Sequence, residues 1–156
     1  MTVTTTGVRV AVDVGTARVG VAASDPTGTL ASPVTVVRRD RRNQRDLDEL
    51  ARLITERDAV EVLVGLPKTL AGRDSASTAD ARSYAEELAR RVAPVPVRLV
   101  DERLTTVSAQ RRLHAAGRTA RTSRQVIDAA AAVVLLEAAL DHERNTGAPA
   151  GEQVHA

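Results

Sequence analysis

The chain has 156 residues, a formal charge of +2 and no cysteine. Those figures suit one domain with its own core, and they exclude a disulfide framework, a zinc–thiolate site and a thiol nucleophile. No apolar run reaches the ~18–20 residues of a membrane span, and Met1–Thr6 has neither the basic nor the apolar part of a secretory signal, so a cytoplasmic protein without a membrane partner is expected.

Residues 1–6 read as a flexible leader, 7–144 as a single domain, and the Gly-, Pro- and polar-rich stretch 145–156 as a flexible tail. From Val8 to Val14 valines alternate with Arg9, Ala11 and Asp13, the period-two pattern of a strand. Gly15-Thr16-Ala17 turns the chain into a second β-rich run from Arg18 to Ser24. Asp25-Pro26-Thr27-Gly28 turns it again, into Leu30–Val37. Two tight turns predict an antiparallel meander. Leu47, Leu50, Ala51 and Ile54 then follow helical spacing. Val60–Gly65 is a short buried strand, followed by a polar loop over 67–77 and a helix over Thr78–Val92 that Pro94 stops. Val95–Val100 is a fifth strand. Helices follow over Thr106–Ala116 and over Ser123–Glu143, with Ser123 as candidate N-cap. Strands separated by helices lie parallel through right-handed crossovers. The fold class is therefore α/β: three antiparallel strands and then two parallel ones, in the order 3-2-1-4-5, flanked by helices.

The strongest chemical signal is an acid in the most apolar stretch of the chain. Asp128 interrupts Val126–Leu136, in which ten of the eleven residues are apolar. An ionised carboxylate in such company costs several kcal/mol unless a cation or hydrogen bonds hold it. An ion pair with Arg121 or Arg124, one turn upstream, is the structural alternative. Asp13 ends the first strand, and Asp101-Glu102 ends the fifth. In an open α/β sheet, sites form at the carboxyl ends of strands where the winding changes. Three such acids make an oxygen-only donor set suited to Mg²⁺ or Mn²⁺. Two such ions about 3.5–4 Å apart support phosphodiester hydrolysis. Which of Asp101 and Glu102 faces the site is left open by alternation, since one faces it while the other pairs with Arg103 or caps the next helix.

Charge distribution points to a polyanion. Every basic residue except Lys68 is arginine, the sequence pI is about 9.9, and arginine suits bidentate phosphate contacts. Arg38, Arg39, Arg41, Arg42 and Arg45 form one cluster; Arg111, Arg112, Arg118, Arg121 and Arg124 form another. With Tyr84 the single aromatic residue, base stacking is not available and binding must rest on backbone charge and shape.

Val12-Asp13-Val14-Gly15-Thr16-Ala17-Arg18-Val19-Gly20, Val64-Gly65-Leu66-Pro67, Asp101-Glu102-Arg103-Leu104-Thr105-Thr106 and Ile127-Asp128-Ala129-Ala130-Ala131 stand in that order along the chain. In these blocks the chain resembles the YqgF/RuvX family of Holliday junction resolvase-like proteins, over about residues 8–143. The resemblance implies an RNase H-like fold and a catalytic, metal-holding triad of Asp13, Glu102 and Asp128. It also makes Gly65-Leu66-Pro67 a functional loop, with Lys68 beside it as a phosphate contact. Thr16, Arg18, Arg103, Arg111 and Arg112 complete the expected substrate contacts. The implied activity is a Mg²⁺- or Mn²⁺-dependent nuclease on structured nucleic acid, processing the 5′ end of pre-16S rRNA in contact with ribosomal particles, or else resolving branched DNA. It would act as a monomer or homodimer. A non-catalytic RNA-binding assembly factor is a further reading, against which the intact triad argues. An ATPase or sugar kinase sharing the Asp-x-Gly-Thr loop would need a second lobe for which the chain is too short.

Overall fold

The computed structural model describes residues 6–69, 71–104 and 120–155, with side chains over 6–69, 71–103 and 129–155. Its strands are β1 (Arg9–Val14), β2 (Arg18–Ser24), β3 (Ala31–Arg38), β4 (Glu61–Leu66), β5 (Val97–Asp101) and β6 (Glu152–Gln153). Its helices are α1 (Arg45–Glu56), α2 (Ala76–Val92) and α3 (Ala120–Thr146), with a 3₁₀ turn over Glu102–Leu104. One sheet holds all the strands in the order β3-β2-β1-β4-β5-β6. The first three strands are antiparallel, and β4 and β5 run parallel to β1. The expected order is therefore present, extended by an antiparallel sixth strand on the β5 edge. That strand lies in the segment expected as a tail. Arg98 secures it by donating from Nε to the Ala150 carbonyl at 2.8 Å and from Nη2 to the Gly151 carbonyl at 2.6 Å.

Strand alternation divides the interior into two cores. Val10, Val12, Val19, Val21, Val62 and Val64 pack on one face against Leu50 and Ile54 of α1 and Leu88 of α2. Ala11, Ala22, Leu63 and Val100 pack on the other face against Ala131, Ala132, Leu135 and Leu136 of α3. The second core is rich in alanine, so α3 lies close to the sheet. Leu135 and Leu136 are fully buried there, each worth about 1.5–3 kcal/mol relative to exposure.

Helix ends depart from expectation in two places. α2 begins two residues early, at Ala76, because Ser75 and Thr78 cap it reciprocally. The Thr78 hydroxyl also donates to the Pro67 carbonyl and so ties down the loop between β4 and α2. α3 begins at Ala120, so Ser123 is inside the helix and is not its N-cap. Ala120 and Arg121 are good helix formers and carry the helix past it. Near the far end of α3, Glu143 accepts a 2.9 Å bond from Nη2 of the buried Arg9 at the start of β1. α3 therefore runs antiparallel to β1, and its earlier turns lead toward the end of β1 that bears Asp13. The helix expected over 106–116, with Arg111 and Arg112, lies outside the described residues. Among the described residues no helix is long and apolar enough to cross a membrane.

Candidate active site

Asp13 and Glu102 share the α3 face of the sheet, on either side of β4, and two glycines make the room. Asp13 pairs across β1 and β2 with Gly20. One residue past the Val12–Val64 pair, its other neighbour is Gly65 on β4. The carboxylate is thus flanked on both sides by residues without side chains. On β5 alternation puts Val100 and Glu102 on this same face, with Val100 paired to Gly65. Glu102 lies over Gly65: a Cβ built there would stand 2.6 Å from Glu102 Oε1 and 3.3 Å from Cδ and Cγ. Glu102 therefore crosses β4 toward β1 only because position 65 is glycine. Both acids are buried, Asp13 at 2% exposure and Glu102 at 3%.

The choice between the adjacent acids is resolved by Arg103. Its Nη2 lies 2.7 Å from Asp101 Oδ2, and its backbone N–H donates to Asp101 Oδ1 at 2.9 Å. These bonds hold the Asp101 carboxyl below its usual range. Asp101 is thus occupied at the sheet edge while Glu102 turns inward. Arg103 is also held: a Cβ on Gly72 would come within 2.7 Å of its Nη1. The guanidinium accordingly packs on the loop after β4 while its side chain stays exposed at the sheet edge.

Burial first, and the neighbouring Asp101 second, push the Glu102 carboxyl up to about 7. Between an unfolded value near 4.5 and about 7, the folded protein binds more protons than the unfolded chain. Its stability then falls as pH rises through that window. Without divalent ions the melting temperature should drop from pH 5 to pH 7.5, by the equivalent of roughly 1–3 kcal/mol. Glu61, also raised by burial, contributes in the same direction. The comparison is therefore with Glu102→Gln, for which melting in EDTA should show a flatter profile. An identical profile would mean Glu102 does not carry the effect.

Asp128 belongs to α3, and helical spacing sets its backbone on the stripe that continues through the buried Ala131, Ala132 and Leu135. Its side chain lies outside the described residues. Among those residues no three histidine, aspartate or glutamate side chains group as a metal cluster; the described part of the site supplies two carboxylates. Buried oxygen donors beside two glycines fit a hard divalent ion.

The remaining expected contacts surround this pair. Thr16 is exposed at the tip of the β1–β2 hairpin. Arg18 pairs across strands with the exposed Arg38, a like-charge opposition that costs stability in the free protein. Lys68 follows Pro67, 3.8 Å from Asp74. Two features had no readable signal in the chain: the steric role of Gly65, and the contacts of Arg39 with the hairpin tip. Both depend on pairings between residues distant in sequence.

The family model described as RuvX, Holliday junction resolvase, matches residues 7–142. A protein of Mycobacterium sp. (strain KMS) named "Putative pre-16S rRNA nuclease" is 55% identical over 149 residues, covering 96% of this chain and 88% of that protein. One of the same name from Frankia casuarinae is 54% identical over 142 residues, covering 91% and 70%. Among solved structures, Thermus thermophilus RuvC in complex with a Holliday junction substrate superposes with a TM-score of 0.61 at 14% identity. That match covers 95% of this chain and 99% of that one, and it speaks to the fold alone.

Proposed function

Since this chain belongs to the RuvX family of Holliday junction resolvases, we propose that it is a divalent-metal-dependent nuclease that trims the 5′ end of pre-16S rRNA. The observation that carries the reading is the burial of two carboxylates on one face of the sheet at the carboxyl ends of their strands, Asp13 on β1 and Glu102 reaching over Gly65 of β4. The names of the curated relatives support the choice of RNA precursor. The description of the family model supports branched DNA as the second reading.

Asp13, Glu102 and Asp128 would hold the metal. When bound, it would supply Lewis-acid stabilisation of charge developing on the phosphoryl group. The chain's own residues do the rest. Thr16 and Arg18 flank Asp13 and can grip the phosphate being cut or its neighbour, and Lys68 can grip one from the β4 side. Arg111 and Arg112 extend the basic surface in sequence. Glycine at 65 leaves the space that Glu102 occupies next to the strand bearing Asp13. Phosphate contacts of this sort position the substrate without reading its sequence.

The test is a side-by-side assay with Mg²⁺ or Mn²⁺, on a precursor 16S rRNA fragment and on a four-way DNA junction. The proposal expects cleavage of the rRNA fragment near the mature 5′ end, at a catalytic efficiency at least about tenfold above that on the junction. Faster cutting of the junction would transfer the assignment to the second reading. Cleavage of neither, by protein that binds both, would favour a non-catalytic assembly factor.

A further inference from the structure

The tip of the β1–β2 hairpin, directly after Asp13, is built in a way that does not hold itself. The Gly15 N–H donates to the Arg18 carbonyl at 2.8 Å, leaving Thr16 and Ala17 as a two-residue connection. Such connections favour turns with positive φ, because only those match the twist of the paired strands; the ordinary types splay them. Neither Thr16 nor Ala17 has a positive φ; among the described residues the non-glycine ones that do are Gln44 and Asp58. Gly15 adds a second constraint, since a Cβ there would approach the Arg18 carbonyl oxygen to 2.6 Å.

What closes the tip comes from the segment after β3. Three successive carbonyls are taken up by two arginines. Arg39 Nη1 donates to Gly15 O at 2.9 Å, Arg41 Nη2 to Thr16 O at 3.2 Å, and the Arg39 backbone N–H to Ala17 O at 2.8 Å. Because each peptide unit is planar and trans, drawing these carbonyls toward Arg39 and Arg41 turns the N–H groups of Thr16, Ala17 and Arg18 the opposite way. Arg39 is itself fixed from the other side. Its fork meets both oxygens of Asp80 at 2.9 and 3.1 Å, Asp46 lies 3.7 Å from Nε, and its guanidinium sits 4.9 Å above the Tyr84 ring. Tyr84 donates in turn to Asp46 at 3.0 Å. Bidentate pairing and ring stacking are uses of arginine that lysine does not reproduce.

From this geometry we infer that Arg39 is a positioning residue of the nuclease site: braced by Asp80 on α2, it clamps the Gly15–Ala17 carbonyls and so presents Thr16 and its neighbouring amides to the substrate phosphate beside Asp13. Arg39 touches no substrate in this arrangement and acts through the hairpin tip. The inference rests on the nuclease reading for its turnover measurement, while amide exchange tests it independently.

Arg39→Gln should lower kcat about 10- to 100-fold, the scale of a misplaced reacting group, with KM changed less than about threefold. Hydrogen exchange of the Gly15 amide and of the residue-39 amide, which donate to the Arg18 and Ala17 carbonyls, should quicken by at least about tenfold. Arg39→Lys should restore less than half of the lost turnover, since one ammonium cannot span Gly15 O and Asp80 together. Ile54→Val is the structural control, because Ile54 is buried in the core beneath α1 and takes no part in these contacts. It should lower the melting temperature and leave kcat within about twofold. Should Arg39→Gln fail to fold, Asp80→Asn frees the same fork and carries the same expectations. Wild-type turnover and wild-type exchange in folded Arg39→Gln or Asp80→Asn would overturn the inference, as would an equal fall in kcat for Ile54→Val at matched stability. Absence of cleavage by the wild-type protein would instead count against the nuclease reading and leave the exchange measurement to decide this one.

Discussion

Glu102→Gln and Asp13→Asn should each reduce phosphodiester cleavage by at least about a thousandfold, the several kcal/mol that a metal-held charge supplies to a transition state. Each change swaps one carboxylate oxygen for an amide and keeps the side-chain shape. Each side chain is buried, so the substitutions also relieve the desolvation of a charge. The protein should therefore remain folded, with a melting temperature in metal-free buffer at pH 7.5 equal to or above that of the wild type for Glu102→Gln. Affinity for nucleic acid should survive, because the arginines around the site are untouched. Single-turnover cleavage, binding and thermal melting on the same preparations check the three parts together. Full cleavage by both purified variants would mean that the activity belongs to another site or another protein.

The second large effect is predicted for a residue with no functional group. Gly65→Ala should cut cleavage by about a hundredfold while leaving the fold as stable or slightly more so. The new methyl would arrive 2.6 Å from Glu102 Oε1, well inside contact distance. The colliding atom is the end of a side chain, so the carboxylate moves rather than the backbone, and the cost in stability is small. Alanine is also favoured over glycine in a strand by roughly 0.5–1 kcal/mol. The cost falls on chemistry, where a displacement near 1 Å is worth about 10²-fold. A double variant settles the cause. Once Glu102 is glutamine, Gly65→Ala should add little further loss of activity, the non-additivity expected of two residues acting through one contact. Independent, multiplying losses would show that Gly65 matters for some other reason.

Much of this site could be read from alternation and spacing. Val8–Val14 placed Asp13 on the face opposite the valines, and Ala11 and Val12 do pack into different cores. The switch from a meander to helix-separated strands gave the order in which β1 stands beside β4 and β5. The apolar run around Asp128 gave a buried helix whose alanines lie against Ala11 and Ala22. Alternation could not choose between Asp101 and Glu102, because the decision rests on where Arg103 bends back. β6 was illegible for a different reason: two exposed residues have no apolar pattern, and a carbonyl grip by Arg98 holds them. α3 starts before Ser123, the residue that resembles a cap, because the helix propensity of Ala120 and Arg121 outweighs it. In the sequence Arg39 is one charge in a basic cluster. Its partners on the hairpin tip and on α2 are 24 and 41 residues away, and no local pattern encodes such pairings.

Whether Asp13, Glu102 and Asp128 share a divalent ion is tested, without reference to any substrate, by direct Mn²⁺ titration of the free protein at pH 7.5. Wild-type protein should take up Mn²⁺ saturably, and Asp13→Asn, Glu102→Gln and Asp128→Asn should each weaken uptake by at least about tenfold, the lower end of what even supporting residues contribute to a metal site. Saturable binding that is unchanged by these substitutions, or no binding by the wild-type protein, would contradict the account.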